Sequence, residues 1–360
     1  MKSIKLSTLF LISILFSLGL GGCNVTTNET PRYIPDTKGM EKTVTIERFE
    51  QDLFGLDTNQ IETGLMALKK KYPAFTLPFL QTVLRVPSLA AEQSVVKGYL
   101  GYAPARETYQ KVQEQFKTMP LVQEQLNNLA THFAYYELNT NVPITTAYTH
   151  LCEYSYDRAI GDGYVPLPLD MALGQGYPAY TLAKIPLYQQ RTLNREHLVA
   201  KAAYAIAEDI VTNMTQTKSS FMIDYMLQEG KKFYITDILL PQVADSIKFS
   251  FSSQQMSYCN RGELQLYEHL NDQELLYSDK DKLFSKYITA GPFNPALSLP
   301  GNSGTWLGYR MVLAYANQQR KLLQKTNPEL TARKIDQRVL QQIITENDPQ
   351  QYLQTYKPQK

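Results

Sequence analysis

Cys23, directly after Leu20-Gly21-Gly22, is the residue whose type and setting state a chemistry most plainly. Small residues before a cysteine at the end of an apolar leader make a site for a diacylglyceryl thioether on sulfur and an acyl group on the freed α-amine. Lys2 and Lys5 supply the positive start of that leader, and Leu6 to Leu20 is apolar apart from Ser7, Thr8, Ser13, Ser17 and Gly19. The run falls short of the roughly 20 apolar residues that span a bilayer. The mature chain is therefore expected to begin at Cys23 and to sit on a membrane through its lipid, since several acyl chains hold durably where one holds marginally. The plainer alternative, an ordinary leader cut nearby, leaves Cys23 a thiol.

Other residues that could do chemistry are scattered. The four histidines are His132, His150, His197 and His269, and no two lie four apart, so an HExxH zinc helix is absent and no metal or cofactor is expected. Gly101, Gly161, Gly163, Gly174 and Gly176 build no nucleophile elbow, phosphate loop or dinucleotide fingerprint. Pro300-Gly301-Asn302-Ser303-Gly304-Thr305-Trp306 precedes a helix and suits either an anion or, more simply, a cap by Ser303 or Thr305 over a tight turn. Asp170 in Leu169-Asp170-Met171-Ala172, with Lys231 and Asp237 downstream, offers charged groups in apolar settings. An Asp170–Lys231 pair would serve an enzyme or a structural ion pair equally well. Cys152 and Cys259 lie among aromatic residues, as a disulfide or as buried thiols.

The elements that must position these groups are mostly helical. Residues 23–42 are expected to tether a single helix-rich domain over 43–357. Apolar spacings of three and four predict helices through Ile61, Leu65 and Leu68; through Val122 to Tyr136; from Asn194 through Ile210; and through Trp306, Tyr309 and Val312. Asp57 with Gln60 is expected to cap the first, and Asn327 before Pro328 to open a last helix with Ile335, Val339 and Ile343. Short strands are expected at Thr43–Ile46, Phe233–Ile238 and Ile247–Phe251, with irregular structure over about 140–190. The formal charge is +2, so nothing points to nucleic acid, and 25 tyrosines against one tryptophan suit half-buried helix faces or a peptide or glycan surface.

Taken in order, Ile46-Glu47-Arg48-Phe49-Glu50, Tyr72-Pro73-Ala74-Phe75, His132-Phe133-Ala134-Tyr135-Tyr136, Leu169 to Gly174, Tyr177-Pro178 and Gly230-Lys231 resemble the GldB family of gliding-motility lipoproteins. Asp237, Leu240-Pro241, Glu274-Leu275-Leu276-Tyr277 and Trp306-Leu307-Gly308-Tyr309 continue the resemblance, which covers nearly the whole mature chain. Ala172 and Tyr258 depart from the bulkier aromatic and the tryptophan common in that family. The resemblance implies a non-catalytic accessory of gliding and type IX secretion machinery in Bacteroidota-type envelopes, with envelope proteins as partners. It also implies at most a degenerate zincin-like, gluzincin-like fold. Glu229-Gly230-Lys231-Lys232 resembles the segment that gives such enzymes their third ligand, and Tyr204 and Glu208 stand where the two histidines would be, so no zinc is expected. A divergent metallopeptidase-like hydrolase and a lipoprotein gripping peptide or glycan through Tyr154, Tyr156, Tyr164, Tyr177 and Tyr180 are the alternatives. Asn24 is not the aspartate of inner-membrane retention, which favours the periplasmic face of the outer membrane, with the inner membrane as the alternative.

Overall fold

Two largely buried helices that cross closely organise the chain. A computed structural model describes residues 32–138, 143–214, 220–291 and 299–359. Cys23 and the leader lie outside the described residues. Of the stretch expected to act as a tether, residues 32–42 are described, and although mostly exposed they touch the rest of the chain at their start. Arg32 pairs with Asp245, the Arg320 guanidinium sits over the Tyr33 ring, and Pro35 is buried.

Strand β1 (Thr45–Glu47) leads into α1 (Phe49–Phe54), α2 (Ile61–Lys71), α3 (Thr76–Thr82), α4 (Glu92–Gly101), α5 (Ala103–Gln115) and α6 (Pro120–Tyr136). Asp57 does accept an amide, that of Asn59, at the short turn before Ile61. The chain then returns as β2 (Thr146–His150) and β3 (Tyr164–Pro168). All three strands are parallel in the order β1-β2-β3, with Ala147 opposite Ile46 on one side and Val165 on the other. Parallel neighbours require long crossovers, and six helices supply the first one. The expected strand near Thr43–Ile46 is present, but the expectation of irregular structure over 140–190 fails at β2 and β3. Pro166 and Pro168 speak against a strand in the sequence, yet β3 is an edge strand, where a missing N–H costs no ladder bond.

Beyond the sheet come α7 (Pro178–Leu182), α8 (Leu187–Gln190), α9 (Arg195–Met214), α10 (Met222–Leu239), α11 (Asp245–Lys248), α12 (Ser253–Arg261), α13 (Glu263–Asp272) and α14 (Asp281–Ile288). The chain closes with α15 (Ser303–Thr326), α16 (Ala332–Thr345) and α17 (Pro349–Thr355). Asn194 accepts the His197 amide at 3.2 Å and so caps α9 as expected. Asn327 instead ends α15, and Thr331 caps α16 by accepting from the Lys334 amide.

The strand expected at Phe233–Ile238 is the second half of α10. A helix buried on every side shows no apolar stripe, so a short all-apolar run cannot be told from a strand by period alone. The strand expected at Ile247–Phe251 is also absent. There α11 ends, and Ser250 turns the chain at φ 57°. That turn directs Lys248 inward, 1 % exposed, onto the Asp237 and Asp245 carboxylates.

The core is centred where α10 crosses α15. A Cβ on Gly308 would stand 1.9 Å from the Met226 carbonyl oxygen, and one on Gly230 would stand 2.5 Å from the Gly308 carbonyl carbon. Both clashes are with backbone, which no rotamer change relieves. Gly308→Ala is therefore expected to destabilise the protein by at least about 3 kcal/mol or to prevent folding. Gly98→Ala, on the exposed face of α4 with nothing within 4 Å of the new carbon, should raise stability by about 0.5–1 kcal/mol. Chemical denaturation of the two variants checks both signs.

Candidate functional site

Helix α9 places Lys201, Tyr204 and Glu208 at spacings of three and four, hence on one face, and α10 brings Glu229, Lys232 and Phe233 against it. The Tyr204 hydroxyl donates to one Glu229 oxygen, and the Lys232 ammonium donates to the other at 2.7 Å and to Glu208 at 3.3 Å. The loop after β2 completes the cluster. Arg158 stands 3.8 Å from Glu208 with its guanidinium over the Tyr204 ring, and Lys201 donates to Asp157 at 2.7 Å.

This network lines a cleft of about 800 Å³. Apolar surface from Met171, Leu193, Phe233, Phe249 and Phe251 also faces it, as do Tyr154, Tyr156, Tyr188 and Arg191. Burial, then the Glu229 charge and hydrogen bond, hold the Tyr204 hydroxyl far above the usual tyrosine range. Burial pushes the Asp157 carboxyl up, but the Lys201 ammonium and Arg158 outweigh it and leave the group below its ordinary value. Tyr204 is thus a lasting proton donor and Asp157 a lasting anion at neutral pH. A metal would need converging ligands, and among the described residues no three His, Cys, Asp or Glu do so. Between Glu208 and Glu229 sits an ammonium.

The remaining residues singled out in the sequence serve elsewhere. Asp170 and Lys231 do not pair. Asp170, fully buried after β3, accepts the Cys152 amide at 3.0 Å and the Tyr154 amide at 3.2 Å, which fixes the turn that carries Tyr154, Tyr156 and Asp157 to the cleft. Lys231 turns away from Glu229 and donates to the Glu346 carbonyl at 2.6 Å and to Ile344 and Asn347, gripping the end of α16. Asp237 accepts from Lys248 and from the Tyr309 hydroxyl at 2.9 Å. Trp306 is buried in α15 with Arg310 above its ring, and Thr305 donates to the Asn302 carbonyl instead of capping an amide. Cys152 and Cys259 are free, buried thiols.

Each histidine is tied locally: His132 to the Asn128 carbonyl, His150 to Tyr156, His197 to Asn194 and His269 to Tyr287. Sequence reasoning found Tyr204, Glu208 and Glu229 but missed Asp157, Arg158, Lys201 and Lys232. The signal for Lys201 and Lys232 was present in their helical spacing to Tyr204, Glu208 and Glu229.

Asp170 yields a test of this anchoring. Burial raises its carboxyl from the ordinary 3.8 to about 6, overcoming the amide bonds that pull the other way. The folded chain therefore holds this proton more tightly than the unfolded chain. The resulting stability is complete below about 4 and lost as pH rises through about 6, by up to about 3 kcal/mol. Asp170→Asn removes the titration. The stability of the wild type minus that of the variant should fall between pH 4 and 7 in urea titrations, and a flat difference would contradict the assignment.

No curated protein and no solved structure matches the chain. A family model does: that of the gliding motility protein GldB matches residues 30–358, nearly the whole chain, and the protein belongs to that family.

Proposed function

We propose that the protein is a lipid-anchored, non-catalytic accessory of the envelope machinery for gliding and type IX secretion. Cys23 would carry the anchor at the periplasmic face of the outer membrane, and the folded part would work by protein contacts. The observation that carries the non-catalytic reading is the Lys232 ammonium between Glu208 and Glu229, with Tyr204 on the remaining Glu229 oxygen. If the chain descends from a zincin-like ancestor, these are the places of its ligands, and internal ion pairing fills them. A hydrolase reading would need a free nucleophile or an open metal position, and neither the cleft geometry nor the scattered histidines support one. Family membership supports the gliding role.

Cross-linking in intact cells, followed by affinity capture, should recover one defined envelope protein, and a partnerless monomer would refute the accessory role. Cys23→Ala should lose fatty-acid labelling and leave the membrane fraction. Stoichiometric zinc in the purified protein that disappears in Glu229→Gln would overturn the non-catalytic reading.

A further inference from the structure

The cleft beside the ion-pair network carries a charge that the network does not neutralise. Three of its cations have carboxylate partners: Arg158 with Asp157 and Glu208, Lys201 with Asp157, and Lys232 with Glu208 and Glu229. Lys248, at its margin, is consumed by Asp237 and Asp245. Arg191 differs. Among the described residues it meets no carboxylate, and one of its terminal nitrogens donates to the Ser250 carbonyl at 2.7 Å. A guanidinium offers five N–H donors in a planar fork that fits a carboxylate in bidentate fashion, so most of its capacity remains unspent. Burial draws its pKa down, the mark of a cation partly removed from water without an anion beside it.

We propose that the cleft is a peptide-binding site whose ligand carries a carboxylate, and that Arg191 holds that carboxylate. The volume of about 800 Å³ lies within the roughly 300–1,000 Å³ of small-ligand sites. Arg191 shares the cleft with Leu193, Phe249 and Phe251, so the complementary ligand has an anionic group beside apolar side chains. An acidic residue flanked by apolar ones, or a C-terminal carboxylate after one, has that form. An acidic glycan fits less well, because it presents hydroxyls around every ring. Of the polar groups that would answer them, Tyr204 is bonded to Glu229, Lys201 to Asp157, Tyr154 to Thr108 and Tyr156 to His150.

This inference goes beyond the accessory role and names the chemistry by which a partner would be held. The test titrates full-length protein in detergent micelles with three pools of fluorescein-labelled heptapeptides. One pool is amidated with a single Glu among Leu, Val and Phe, one is the same with Gln, and one is the Gln pool with a free C-terminus. The Glu pool, the free-terminus pool or both should bind at least tenfold tighter than the neutral pool, and which one does identifies the source of the carboxylate. Arg191→Gln should bring all three to one affinity, while Arg191→Lys, which keeps the charge and loses the fork, should retain part of the preference. Equal affinities in the wild type, a preference that survives Arg191→Gln, no binding of any pool, or stronger binding of oligogalacturonate would each overturn the proposal. If Arg191→Gln does not fold, the wild-type comparison and Arg191→Lys still decide. A failed titration alongside an intact envelope cross-link would remove this inference and leave the accessory reading standing.

Discussion

The backbone contact between α10 and α15 is the constraint from which the remaining arrangement follows. With glycine at 230 and 308 the two helices approach until a single methyl group would strike a carbonyl. No residue of α10 is exposed, and neighbouring residues along it face different partners. Glu229 and Lys232 face α9 and the cleft, Gly230 faces α15, Lys231 faces the end of α16, and Asp237 faces Tyr309 and Lys248. One buried helix thereby fixes the cleft, the C-terminal helices and the docking of Arg32 at Asp245.

Enclosing charged residues is costly unless each finds an opposite charge or a set of dipoles. Lys231 is satisfied by carbonyls at the end of α16, where the helix dipole is negative, although burial still draws its pKa down to about 8. Asp170 is satisfied by backbone amides. Arg320 and Asp336 pair beneath Tyr135, and Arg310 pairs with Glu263 at 3.1 Å. These pairs tie α15 to α16 and α13.

The helix through Ile61–Leu68 was legible in the sequence because it keeps one wet face, which creates a period, and in Val122–Tyr136 and α9 the spacing of three and four survives although few positions are exposed. Phe233–Ile238 was not, because enclosure erased the period, and the β3 strand was hidden by prolines that only an edge position tolerates. Tyr204, Glu208 and Glu229 could be named as a group only through family resemblance. Periodicity places Tyr204 and Glu208 on one face of one helix but says nothing about which other helix that face meets. Whether Asp170 pairs with Lys231 could not be read for the same reason: two charges in apolar settings need partners, but the sequence does not reveal that those partners are main-chain groups.

Charge compensation also sets which groups of the cleft are free to exchange a proton. A general acid or base works best when its pKa lies near the ambient pH and one of its protonation states remains uncommitted. In this cleft burial and Glu229 hold Tyr204 protonated, and Lys201 and Arg158 hold Asp157 ionised, each locked to a partner. Groups so fixed shape a surface and hold Tyr204 neutral and Asp157 charged near neutral pH. A surface of that kind, with the Arg191 guanidinium free of carboxylate partners among the described residues, suits the proposed role of holding other proteins in place.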